Sequence, residues 1–318
     1  MEPVEFVPDG SQRIILLMRI PDEATEYVRS VFARANAAAT NTLTRHPNTW
    51  EEHLDQTFIG SITQEAGPVL VDGNTLVTIE THFLGSRRFF GHWEVADIGL
   101  VVAFRTHGLL TRSKVALLQS KRLYPNEVTH IDEMGPGHFT EGFVRLVPEQ
   151  AAYATMVSSR QFSFTWQSRY RALQRGSEQE AIIRHFRDAN PVPVHYLLYN
   201  PVALPLDAQV PALPGPRPQR NKLGARVVPG GSVELALSRL GKNQSPSARR
   251  IARTIGGRKF DNLGLRVEDY VADRLLGCSD GHLYDGGPPD DPALYNVFYE
   301  RSHPITASIG ITIDTMAE

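Results

Sequence analysis

Gln119 and Lys121 stand two apart near the end of the apolar run "KVALLQSKRL" (114–123). An amide oxygen can ligate a hard cation, and an ammonium can neutralise a phosphate. Residues two apart on a strand share a face, so Gln119 and Lys121 point the same way as Val115 and Leu117. Ala116, Leu118 and Ser120 line the other face, and apolar residues on both faces mark a strand covered on both sides. The preceding apolar run, "WEVADIGLVV", carries Asp97 near its start. A hairpin turning around His107-Gly108-Leu109 sets Asp97 opposite Gln119 if centred on 108, or opposite Lys121 if centred on 109. Either register gathers a carboxylate, an amide and an ammonium at one buried end of a sheet, where unpaired charge is costly. A divalent cation and a phosphate would account for all three. The competing reading makes Asp97 a turn residue at a strand start and Lys121 a side chain that snorkels where the strand ends.

A helix ahead of these strands adds a second acid. Taking about 100° per residue from Trp50, the side chains Trp50, Leu54, Phe58, Ile59 and Ile62 cover about half the circle. Glu51 falls near the middle of that arc and Glu52 at its edge. A glutamate facing the core needs a cation or a hydrogen-bonding partner, although an acid in the first turn also suits the helix dipole. Glu80, inside "LVTIETHFLG", approaches Asp97 if a hairpin turns near Arg88; otherwise it is an exposed strand residue. Arg249, Arg250, Arg253, Arg258 and Lys259, in "ARRIARTIGGRK", form either a phosphate-contacting patch or a solvated helix face. His82, His92, His107 and His130 lack ligand spacing, and the glycines form neither a Walker loop nor a dinucleotide fingerprint.

These residues are carried by a recognisable series of elements. "RIILLMRI" (13–20) reads as a short strand, and Asp22 to about Ala39 as an alanine-rich helix. A second helix runs from near Thr49 to Gly67. Strands follow at 75–85, 95–105 and 114–123, then a helix at 163–190 and an apolar strand at 192–201. The proline-rich stretch 201–222 reads as a linker or loop. Helical patterns at 245–260 and 266–278 and an alternating strand at 305–314 complete the chain. The implied units are an N-terminal strand and helix (1–48), a core (49–205), a linker (206–222) and a C-terminal region (223–318).

Composition sets the outer limits. The chain has 318 residues, 41% hydrophobic and 21% charged, ordinary for a globular protein with a real core. A net charge of -2 argues against a strongly basic coat for nucleic acid but leaves room for a local basic groove. Cys278 is the only cysteine, which excludes an intrachain disulfide and a cysteine-based zinc cage. The N-terminal apolar run is too short to span a membrane and resembles no signal peptide, so a cytoplasmic protein with no membrane partner is expected.

Asp97 followed by Gln119-Ser120-Lys121, with Glu51 on the preceding helix, resembles the PD-(D/E)xK nuclease superfamily in the variant that carries glutamine for the second acid. The resemblance covers about 49–201. It implies an α/β (α+β) fold with a restriction-endonuclease-like αβββαβ core, a central mixed sheet flanked by helices, and a C-terminal extension. It implies Mg2+, or Mn2+ in its place, held by Asp97, Gln119, the Ser120 carbonyl and Glu51, with Glu80 as a further ligand, and Lys121 beside the phosphate. The implied activity is endonucleolytic hydrolysis of nucleic acid, most naturally DNA, in bacterial restriction or antiphage defence. A homodimer or a defence-system partner protein also follows from the resemblance. Gln119 in place of a carboxylate favours the alternative, a protein of this fold that binds nucleic acid or a partner without cutting.

Overall fold

In a computed structural model of the chain, the described residues are 20–85, 94–128, 160–210, 222–256, 263–284, 292–298, 300 and 304–316. The strands are β1 (Gly67–Leu70), β2 (Thr75–Phe83), β3 (Ala96–Thr106), β4 (Leu109–Arg122), β5 (Asn126–Val128), β6 (Arg160–Phe164), β7 (Val194–Tyr199), β8 (Leu206–Val210), β9 (Arg226–Pro229), β10 (Leu265–Arg266), β11 (His282–Tyr284) and β12 (Ile305–Thr315). The helices are α1 (Asp22–Arg45), α2 (Glu51–Thr63), α3 (Glu178–Ala189), α4 (Gly230–Ser238), α5 (Ala248–Thr254), α6 (Val267–Asp269, running on as a π-helix over Tyr270–Leu276) and α7 (Pro292–Phe298). The expected strand at 13–20 lies outside the described residues except for Ile20.

The β3–β4 hairpin sets the register of everything that follows. His107 and Gly108 both have positive φ, 52° and 75°, the backbone of a two-residue turn whose twist matches the flanking strands. Pairing starts at Thr106–Leu109 and Arg105–Leu110, then shifts by one residue, so that Phe104 faces Arg112 and Ile98 faces Leu118. The extra residue, Thr111, donates its hydroxyl to the Phe104 carbonyl at 2.9 Å. Because a one-residue slip turns every side chain to the other face, this bulge decides the chemistry. The next step beyond Ile98–Leu118 sets Asp97 against Gln119, as a hairpin centred on 108 requires.

From Ser113 to Arg122 every residue of β4 is buried, as expected for a central strand. It pairs antiparallel with β3 on one side; on the other it pairs with β7 in parallel and, farther from the site, with β11. Together nine strands form one mixed sheet in the order β1-β2-β12-β3-β4-β7-β9-β10, with β11 against β4. Tyr199 and Tyr196, three apart on β7, point to opposite faces. Tyr199 packs edge-on against Phe58 of α2, which packs in turn on Phe32 of α1. Tyr196 instead feels the charges of Glu180 and Arg187 on α3 and of Glu234 on α4. Helices therefore cover both faces: the chain is a mixed α/β protein around a large central sheet.

Four expectations fail for identifiable reasons. The C-terminal strand β12 sits between β2 and β3, antiparallel to the first and parallel to the second. A hairpin turning near Arg88 therefore does not bring Glu80 to Asp97. The stretch 163–190 is not one helix. Arg160–Phe164 pairs as a strand with β5 and β8, and the helix starts only after Ser177, whose side chain accepts the Glu180 N–H at 3.2 Å. The start of the supposed linker, Leu206–Val210, is the strand β8. Helix α1 also outruns its expected end at Ala39. Asn36 and Thr40 continue its buried face because Asn36 bonds the Ala225 backbone and Glu268, and Thr40 bonds Asn36. No helix among the described residues is long and apolar enough to cross a membrane.

Candidate active site

Strand β4 ends beneath the N-terminus of α2, and there the polar side chains singled out from sequence meet. Asp97 Oδ2 accepts hydrogen bonds from the Ser120 backbone N–H at 2.7 Å and from the Gln119 amide. Lys121 Nζ donates to Glu51 Oε1 at 2.9 Å, and the Arg122 N–H donates to Glu51 Oε2 at 3.0 Å. Asp97, Gln119, Ser120, Lys121 and Glu51 thus form one connected group drawn from β3, β4 and α2. Glu80 does not join it: its side chain is 63% exposed, and its strand position pairs with Gly310 of β12. Trp50, used to anchor the helical wheel, is 77% exposed at the N-cap. Leu54, Phe58, Ile59 and Ile62 alone keep Glu51 on the buried face.

Two members were not foreseen. Asp55, one turn after Glu51, places Oδ2 2.7 Å from the Ser120 hydroxyl, which is also 2.8 Å from Asp97 Oδ2. Tyr199 donates its hydroxyl to Asp55 Oδ1 at 2.8 Å. The Ser120 hydroxyl is the donor that these two carboxyl oxygens share. Burial, and then the charges of Asp97 and Glu51, push the Asp55 pKa well above the ordinary aspartate value. The same wheel that selects Glu51 puts Asp55 about 40° further round, inside the apolar arc.

Electrostatics separates the roles of Lys121 and Glu51. Burial opposes the charged form of Lys121, but Glu51 and then Asp97 outweigh it, and the ammonium pKa lies above the usual lysine value. The Glu51 contact therefore favours the ammonium form of Lys121, which suits it to stabilising negative charge. Burial drives Glu51 toward its acid form, against the pull of Lys121. Since both Glu51 oxygens accept from donors, one of them an ammonium, we assign it as the carboxylate.

The donor set suits a hard cation. Gln119 is fully buried, its Nε2 is spent on Asp97, and its Oε1 has no hydrogen-bond partner. A buried amide oxygen left bare beside Asp97 is destabilising unless something positive reaches it. Asp97, Glu51 and Gln119 Oε1 offer the oxygen ligands that Mg2+ prefers. Among the described residues, no group of three or more His, Cys, Asp or Glu side chains is placed to hold a metal ion.

Arg249, Arg250 and Arg253 lie on α5, while Arg258 and Lys259 fall outside the described residues. The start of α5 is tied to the exit of β4 by two backbone bridges, Tyr124 to Arg169 and Arg169 to Ser247. No family model, curated protein or solved structure matches this chain.

Proposed function

We propose that the chain is a Mg2+-dependent phosphodiester hydrolase, an endonuclease acting on nucleic acid and first of all on DNA, with a restriction-endonuclease-like core. The observation that carries this reading is the bare Gln119 Oε1, buried beside Asp97 and within one connected group with Glu51 and Lys121. The elements α2, β2, β3, β4, α3 and β7 support it, following the αβββαβ order of the resembling superfamily with β1 interposed after α2 and β5 and β6 after β4. The insertion of β12 between β2 and β3 departs from the consecutive pairing expected from the sequence.

Asp97, Gln119 and Glu51 would hold the cation. Once bound, it would supply Lewis acidity toward the phosphate and toward an attacking water. Lys121 keeps a positive charge beside the scissile phosphate, where a preorganised donor is worth more than in water. Glu51 fixes the direction of that ammonium by holding Nζ, and is itself held by the Arg122 N–H. Asp55 and Tyr199 lock the Ser120 hydroxyl, which steadies Asp97 from below the site. Burial of β4 on both faces keeps these groups from relaxing toward water.

Calorimetric titration of Mg2+ into the wild-type protein and into Asp97→Asn tests the cation. A saturable site in the wild type, lost in the variant, is expected. Nucleic-acid binding with no saturable cation site in the wild type would favour the second reading that the neutral Gln119 suggests, a binding protein without hydrolysis.

A further inference from the structure

Just past Lys121, two guanidinium groups share one aromatic ring. The Arg122 guanidinium lies 3.9 Å from the centroid of the Tyr124 ring, and that of Arg171 lies 5.6 Å from the same centroid. Both are within cation–π range. Two like charges on one ring repel each other; burial lowers the pKa of Arg122, Tyr124 and Glu51 oppose that, and Arg171 adds a smaller lowering. Arg122 is 4% exposed, and its Nη1 donates to the carbonyls of Pro47 and Thr49, but its buried Nε has no partner. Arg169, whose backbone bridges Tyr124, donates from Nη1 to the Ser245 carbonyl at 2.6 Å.

Some arginines elsewhere in the fold are paired with acids, while others, such as Arg175 and Arg226, donate to carbonyls. Arg29 pairs with Asp269 and Asp273, Arg34 with Glu65, Arg187 with Glu234, and Arg266 with Glu268. Arg122, Arg169 and Arg171 form no salt bridge with a described carboxylate; their partners are carbonyls and an aromatic ring. Two guanidinium groups on one ring repel each other, and an anion reaching the exposed one would relieve that repulsion. A guanidinium matches the geometry of a phosphate. The residue beside the stack, Lys121, already belongs to the candidate site. The backbone bridges from Tyr124 to Arg169 and on to Ser247 extend the line toward Arg250 on α5.

We infer that Arg122, Tyr124, Arg171 and Arg169 form a track for the phosphodiester backbone of DNA, gripping phosphates next to the one presented to Lys121. The inference rests on the hydrolase reading for the direction in which the strand runs, but the grip needs no hydrolysis. Arg171 is the strand-contacting cation, because it is exposed and its ring contact leaves its donors available. Arg122 is the anchor that holds Tyr124 in place beneath it.

The test is anisotropy of a fluorescein-labelled DNA duplex titrated with the full chain in EDTA across a salt series, where no cleavage occurs. Arg171→Gln is expected to weaken binding and to make the slope of log affinity against log salt shallower by about 0.9, the loss of one phosphate contact on a duplex. Arg171→Lys keeps the charge and should keep the slope. Arg184→Gln, a remote exposed arginine, should change neither. An unchanged slope in Arg171→Gln, or a wild-type protein that does not bind DNA, overturns the inference. Cleavage in Mg2+ with an unchanged Arg171→Gln slope would refute the track and leave the hydrolase reading standing. A slope lost in Arg171→Gln together with no cleavage in Mg2+ would do the reverse.

Discussion

Strand β4 buries a lysine toward each end, Lys114 at 2% exposure and Lys121 at 3%. Lys114 faces the π-helical end of the fold: its Nζ donates to the Leu275 carbonyl at 3.3 Å. There burial dominates, ahead of the opposing pull of Cys278 and Asp280, and the pKa falls below the usual lysine value. Lys121 is as deeply buried, yet Glu51 and Asp97 hold it charged. The same side chain on the same strand is thus pushed in opposite directions by its neighbours. Burial alone does not set the charge of a lysine; the carboxylates gathered around it do.

The largest expected consequence concerns stability. Lys121→Met strips Glu51 of its buried partner and should cost about 3–5 kcal/mol in denaturant unfolding. Lys114→Met, which removes a charge with no ion pair to break, should stay within about 1 kcal/mol of the wild type. Equal losses would erase the contrast. Next, Asp97→Asn should lower Mg2+-dependent DNA cleavage by about 10²–10³-fold with the fold retained, whereas Lys114→Met should cleave normally. Glu51→Gln should lose about 10–100-fold, the usual effect of disturbing a group that orients another. Glu52→Gln should lose nothing measurable, and the reverse pattern would mean that the helix presents its other face.

The smallest effect is a difference in pH slope. Lys114 has a lowered pKa in the folded chain, so the unfolded chain holds more protons between that value and about 10.4. Its contribution makes stability rise with pH through that window. Lys121 has a raised pKa, so its contribution is full below about 10.4 and is lost only as pH climbs through the folded value. Wild type should therefore gain stability relative to Lys114→Met as pH rises through the alkaline range below about 10.4, and should show no such gain relative to Lys121→Met. Parallel slopes in the two comparisons would contradict the assigned environments.

Local pattern made much of this legible, and non-local pairing hid the rest. The turn at His107-Gly108, the apolar run of β4 and the buried face of α2 are all signals within about twenty residues, and they locate Asp97, Gln119, Lys121 and Glu51. The sequence left two registers open because the bulge at Thr111 has no strong signature. Asp55 was within reach, since it shares the arc that selects Glu51. Glu80 was misplaced because a strand from 305–315 intervenes between β2 and β3, and nothing near residue 80 announces a partner more than two hundred residues away. The capping pair Ser177 and Glu180 would have shortened the helix at 163–190 had it outweighed the helical period before it.

The most direct test is incubation of wild type and Asp97→Asn with supercoiled plasmid and with single-stranded DNA, with Mg2+ and with EDTA. Wild type should cut at least one of the two DNAs only when Mg2+ is present, and Asp97→Asn should cut it about 10²–10³-fold more slowly. A folded wild-type protein that cuts neither DNA in Mg2+ or Mn2+, or an Asp97→Asn variant that cuts as fast, would contradict a cation-dependent hydrolytic site at the end of β4.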